Sequence, residues 1–186
     1  MRRNFLFLLF VFVGIFIITL LFRLNFSEKR YSNLKEPRII EFKDQKMLVC
    51  KINPDSDIGE SINNLYRNYV YLKKQGYKNL KFVLPRARWE KYKNKKNLKG
   101  EIGLPLPDNI SFSNKISSTN IKISVWKYGH TVEFIHRGFY TNQTQTLEKI
   151  KSFIKQQGYE FLDNIHEEEY IRGNLTVIRY RIKKIR

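Results

Sequence analysis

The sequence predicts an α+β domain built from two duplicated β-α-β units, and three observations predict it. Leu72-Lys73-Lys74-Gln75-Gly76-Tyr77 and Ile154-Lys155-Gln156-Gln157-Gly158-Tyr159 echo each other, one in mid-chain and one near the end. Each string closes a segment with helical apolar spacing, and each is followed by a strand-like run, which is the signature of an internal repeat. The last strand-like run alternates Ile178, Tyr180 and Ile182 with Arg179, Arg181 and Lys183, as a half-buried strand does. Two such units packed about a pseudo-twofold axis leave a cleft between them, where ligands bind.

The first 22 residues belong to another physical class. Phe5 to Phe22 is an uncharged run in which only Gly14 and Thr19 are not Phe, Leu, Val or Ile. As a helix it spans roughly 27 Å, close to a hydrocarbon core. No small-x-small cleavage site follows it, so residues 1–22 are expected to be an uncleaved single-pass membrane anchor, with 23–37 as a juxtamembrane linker ending at Pro37. Arg2 and Arg3 favour a cytoplasmic N-terminus, whereas Arg23, Lys29, Arg30 and Lys35 favour keeping the other flank inside, so the side of the domain stays open.

Residues 38–186 suffice for one compact domain. Two β-like runs open it, Arg38-Ile39-Ile40-Glu41-Phe42 and Met47-Leu48-Val49-Cys50-Lys51-Ile52, around the turn-prone Lys43 to Lys46. Asp57 with Glu60 three residues on starts a helix by a capping box, Ile58, Ile62, Leu65, Tyr69 and Leu72 form its apolar stripe, and Gly76 stops it. Leu80 to Leu84 reads as a strand, Pro85 to Lys99 as a basic irregular stretch, and Gly100 to Pro107 as an edge strand that tolerates Pro.

The second half opens with Ile121 to Trp126, turns at Tyr128-Gly129-His130 and returns through Val132 to His136. A helix from about Gln143 carries Leu147, Ile150 and Ile154 on one face. Strands from Glu167 to Ile171 and from Leu175 to Ile182 finish the chain.

The formal net charge of +18 favours anionic partners. Anionic lipid is one candidate, with Lys91 to Lys96 as the basic patch. Nucleic acid is not supported, since no basic helix, zinc motif or aromatic-Gly RNA string accompanies the charge. Cys50 is the single cysteine, His130, His136 and His166 lack ligand spacing, and there is no phosphate loop or nucleophile elbow, so no metal or cofactor is expected.

Two constellations carry candidate chemistry. His136-Arg137-Gly138-Phe139-Tyr140 joins a strand to a helix, where Gly138 lets backbone approach a ligand beside the Tyr140 phenol; His136 reads better as a packing residue. Glu168 and Tyr170 point to one face of a strand, where a carboxylate among aromatic rings binds a lipophilic cation or serves as a general acid or base. Glu167-Glu168-Glu169 equally suits a solvated acidic turn. Trp89, Trp126, Tyr66, Tyr69, Phe82 and Phe134 are candidate walls or core.

With these residues assembled, 38–184 resembles the GyrI-like domain, the effector-binding domain of bacterial transcription activators. The resemblance rests on His136 to Tyr140, Leu147 to Tyr159 and Glu168 to Tyr170, and more loosely on Ile58-Gly59-Glu60, the helix to Gly76 and Ile102 to Leu106. It implies two β-α-β-β units forming a concave antiparallel sheet with two helices on one side. It also implies a pocket for a small lipophilic or cationic molecule around Glu168, with Tyr170 and Trp126 beside it; Phe134, Tyr140 and Gly138 complete the expected ligand-binding residues. Some relatives hydrolyse strained compounds, which would make Glu168 a general base with Tyr170 or Tyr140 orienting water. Asn53-Pro54-Asp55-Ser56 and Arg181-Ile182 depart from the family pattern. No helix-turn-helix fits between Phe22 and Arg38.

Overall fold

The computed structural model describes residues 31, 34–77, 80–90, 99–111, 120–139, 142–172 and 174–185. Ten elements follow one another: β1 (Arg38–Phe42), β2 (Gln45–Ile52), α1 (Ile58–Lys74), β3 (Arg86–Trp89), β4 (Gly100–Pro105), β5 (Ile121–Trp126), β6 (Gly129–Arg137), α2 (Thr144–Gln156), β7 (Tyr159–Arg172) and β8 (Leu175–Lys184). The strands form one eight-stranded sheet in the order β1-β6-β8-β7-β3-β4-β2-β5, and the pairings are antiparallel. The two halves repeat one order about the central β7–β3 pair, β6-α2-β7-β8 on one side and β2-α1-β3-β4 on the other.

This order fixes the curvature. β1 and β2 stand at the first and seventh places, yet only Lys43 and Asp44 separate them. Six lateral steps in a flat sheet amount to about 29 Å, whereas so short a link spans on the order of 10 Å. The sheet therefore curls until its ends meet. There Phe42 pairs with Gly129 and Gln45 with Trp126, so β1–β2 and β5–β6 run past each other as one bent antiparallel ribbon. Asp44 fastens the bend, accepting from the Tyr128 backbone N–H at 3.0 Å and from Lys127 Nζ at 2.7 Å.

Both helices cover the same face. α1 starts where the capping box places it, with Asp57 Oδ1 accepting from the Glu60 N–H at 3.0 Å. Its Leu65, Tyr69 and Leu72 pack on Leu48, Cys50, Ile52, Ile102 and Leu104. α2 sets Ile150 and Ile154 in a second cluster with Val132, Phe134, Ile178 and Ile182. The echoed strings end the two helices alike. Gly76 and Gly158 take φ of +108° and +74°, conformations that suit glycine.

The opposite, concave face carries an ion network beside a small apolar cluster of Met47, Val49, Trp126 and Tyr128. Arg179, 2% exposed, donates from Nε to Glu133 at 3.0 Å, from Nη1 to Glu167 at 3.2 Å and from Nη2 to Glu169 at 2.7 Å and Tyr31 Oη at 2.9 Å. Arg88 and Tyr128 also donate to Glu167, at 3.1 and 2.6 Å, and Arg38 Nε donates to Glu133 at 2.8 Å. Tyr31, from the stretch expected to be linker, is itself buried among core residues.

Three sequence expectations are corrected. Leu80–Leu84 is no strand, because the Tyr69 and Tyr66 hydroxyls of α1 take the carbonyls of Lys81 and Val83 at 2.7 and 2.9 Å. The strand is β3, inside the stretch read as irregular. β4 is interior between β3 and β2 rather than an edge, with Pro105 tolerated as its last residue. The membrane localisation is also corrected: among the described residues no helix is long and apolar enough to cross a membrane. α1 and α2 each carry one apolar stripe and a polar remainder, which suits a helix lying on a sheet. The anchor call on 1–22, the Lys91–Lys96 patch and Tyr140 lie outside the described residues.

Candidate functional site

The site grows from the central pair of strands. β3 and β7 pair Ala87 with Glu168 and Trp89 with His166, which puts Trp89, Glu168, His166 and Tyr170 on the helix-covered face. Trp89 approaches this closely because β4 presents Gly100 behind it. A Cβ there would lie 2.1 Å from the Arg88 carbonyl oxygen and 2.7 Å from Trp89 Cε3. The fourth partner arrives from α2. Gln143 occupies its N-cap position but makes no side-chain cap bond; the amide reaches Glu168 instead.

Glu168 is 6% exposed and both its oxygens are engaged. Oε2 accepts from Trp89 Nε1 at 3.0 Å and from Tyr170 Oη at 2.6 Å. Oε1 accepts from Gln143 Nε2 at 2.7 Å, and His166 Nε2 lies 3.3 Å away. Burial pushes the carboxyl pKa up, but the bonds from His166, Tyr170 and Gln143 outweigh it and hold the group at about 2. The group is thus a buried carboxylate that stays ionised at neutral pH. Among the described residues no Lys or Arg contacts it. One residue away in β7, Glu167 has Arg179, Arg88 and Arg86 around it.

The sheet brings Glu168 and Tyr170 together as their alternation predicts. Phe134 lies on the same face two strands away, through the pairings Glu168–Ile178 and Phe134–Ile178, with Lys149 Nζ 5.1 Å from its ring centroid. Gly138 sits beyond β6 at φ +140°, its N–H bonded to the Asn174 carbonyl at 2.8 Å. His136 is a packing residue: Nδ1 meets Thr146 Oγ1 at 2.9 Å and Nε2 donates to the Phe139 carbonyl at 3.0 Å.

Trp126 is not beside Glu168. It pairs with Gln45 and shares the side of Met47 and Val49, so it lies on the concave face, donating to Glu101 at 3.2 Å under the Arg88 guanidinium at 4.4 Å. Gln143 and His166 enter the cluster without having been singled out for it. His166 had a legible signal, since it shares strand parity with Glu168 and Tyr170. Gln143 had none, because its role depends on where α2 begins relative to β7.

Neither a protein-family model nor a curated protein sequence matches the chain. Solved structures share its fold. A hydrolase from Listeria innocua superposes with a TM-score of 0.70 at 15% identity, over 86% of this chain and 98% of that one. The EcmrR C-terminal domain gives 0.56 at 18% identity, over 81% and 98%. EcmrR in its complex with DNA gives 0.59 at 15% identity, over 91% and 65%. At such identities the likeness speaks for the fold alone: the chain has the α+β architecture of the EcmrR C-terminal domain and of the Listeria hydrolase.

Proposed function

We propose that the chain is a small-molecule-binding module of the GyrI-like type, whose site is the Glu168 cluster on the helix-covered face and whose ligands are lipophilic cations. The observation that carries this reading is one buried carboxylate that no Lys or Arg among the described residues contacts. The chain has 35 Lys and Arg against 17 Asp and Glu, yet Glu168 is left to Trp89, Tyr170, Gln143 and His166. A buried anion whose basic neighbour among the described residues is the His166 imidazole rather than a guanidinium or ammonium keeps Coulomb attraction for a cation, and aromatic rings beside it suit a cation with apolar substituents. Trp89, Tyr170, Gln143 and His166 would be the contact residues, with Phe134 further along the same face.

Calorimetric titration of the full chain with tetraphenylphosphonium tests this. Binding is expected, with loss of about tenfold or more in affinity in Glu168→Gln. Tetraphenylborate has the same shape and the opposite charge, so it is expected not to bind. Equal binding of both ions, or no effect of Glu168→Gln, overturns the proposal.

A hydrolase reading takes its support from the Listeria protein of the same fold. A carboxyl held at about 2 is a weak base at neutral pH. Glu168 therefore suits an anchoring charge better than a general base, and we place binding ahead of turnover.

A further inference from the structure

We propose that the concave face carries a second binding site, for a small oxyanion of the phosphate or carboxylate kind. A small cleft, open to solvent, lies there between Arg88, Tyr128, Thr131, Ile165, Glu167, Arg179 and Arg181. Its walls come from β3, β6, β7 and β8 and from the link into β6, so the curl of the sheet makes it.

The charges around the cleft do not cancel. Arg38, Arg86, Arg88, Arg179 and Arg181 face Glu133, Glu167, Glu169 and Asp163, five guanidinium groups against four carboxylates. The neighbouring cations each have a carboxylate of their own: Lys127 has Asp44, Lys122 has Glu101 and Lys183 has Glu160. Among the described residues one positive charge is left over in a largely buried network, where an uncompensated charge is costly and a bound anion removes the cost.

The hydrogen bonds tell the same story. Arg86 Nε is buried and has no hydrogen-bond partner among the described residues; the Glu169 carboxylate is 3.6 Å away. Arg88 donates through Nε and Nη2 to Glu167 and the Lys127 carbonyl, and Arg181 donates through Nε and Nη2 to Asp163. Both line the cleft, and neither Nη1 group donates to a described residue. Guanidinium groups with unspent donors are suited to planar and tetrahedral oxyanions alike. Glu167 closes the inner end, so the ligand would sit toward Arg181, the most exposed guanidinium of the wall.

The site lies across the sheet from Glu168 and is independent of it. Isothermal titration of the full chain with inorganic phosphate and with acetate, at fixed ionic strength and neutral pH, tests the proposal. One of the two is expected to bind with unit stoichiometry. Arg181→Gln should weaken binding about tenfold or more, and Asp163→Asn, which removes the carboxylate competing for Arg181, should tighten it. Lys155→Gln removes the same charge from an exposed position on α2 and should change nothing. Glu168→Gln should also leave oxyanion binding intact, which separates this outcome from that of the cation experiment. Should Arg181→Gln unfold, Arg181→Lys keeps the charge without the fork and carries the same expectation. No binding of either anion, or equal weakening by Arg181→Gln and Lys155→Gln, overturns the proposal.

Discussion

Glu167 and Glu168 are neighbours in β7 whose carboxylates lie on opposite faces of the sheet. Glu167 is held by Arg179 at 3.2 Å, Arg88 at 3.1 Å and the Tyr128 hydroxyl at 2.6 Å. Glu168 is held by Trp89, Tyr170 and Gln143 on the helix side. The two-residue period of a strand thus sorts one acidic run into an ion network and a buried anion without a guanidinium.

Acid should act on Glu168 in a defined window. Its carboxyl falls from the ordinary 4.5 to about 2 in the folded chain. Stability from this group is fully present above pH 4.5 and is lost as pH falls toward 2, a contribution on the order of 3 kcal/mol. Urea unfolding at several pH values should give Glu168→Gln a shallower loss of stability across that window than the parent chain. Parallel curves would show that the bonds to Glu168 do not stabilise its ionised form.

Arg179 should be among the least replaceable side chains. Its removal takes the buried partner shared by Glu133, Glu167 and Glu169, and Arg179→Met is expected to cost about 3–5 kcal/mol in chemical denaturation. Arg38 bonds the same Glu133 from a side chain that is 42% exposed, so Arg38→Gln should cost within about 1 kcal/mol. Similar costs for the two would mean that burial is not what sets the value of these pairs.

Gly100→Ala tests the close approach of β3. The added methyl group would fall 2.1 Å from a backbone oxygen, so the strand must move. A loss of about 1–3 kcal/mol is expected, with a change in Trp89 fluorescence and weaker cation binding, since Trp89 supplies one of the bonds to Glu168. Unchanged fluorescence would place the strain elsewhere.

Tyr128 should resist ionisation. Burial first, and then the Glu167 charge, raise its phenol to about 12. Tyr69 is raised to about 12 chiefly by burial. Stability tied to the neutral phenols is present below pH 10 and is lost between pH 10 and 12. Absorbance titration should show a late phenolate component that shrinks in Tyr128→Phe; a component of unchanged size would contradict the burial of this phenol against Glu167.

Much of the architecture was legible. Asp57 and Glu60 marked the start of α1, and Gly76 and Gly158 marked both helix ends, because caps and left-handed turns are written in local residues. Strand β3 was missed since Arg86 to Trp89 looks too basic for a central strand. Arg86 and Arg88 are accommodated there by Glu167 and Glu169, a long-range compensation that local pattern cannot reveal. The site was half legible for the same reason. Glu168 and Tyr170 share one strand, whereas Trp89, Gln143 and the face of Trp126 follow from register between distant segments.

The bent ribbon makes the two halves inseparable. β1 precedes α1 in the chain but finds its partner in β6, and β5 precedes α2 but finds its partner in β2. A fragment ending before Ile121 would hold β2 without β5 and β1 with no partner strand, and a fragment beginning there would lack β1 beside β6. An N-terminal half emerging from the ribosome must therefore wait for residues nearly a hundred positions on, for example Glu133 opposite Arg38, before its first strand can dock. The repeat cannot be cut at its seam into two working pieces, and splitting the gene there should yield fragments that assemble only when both are present.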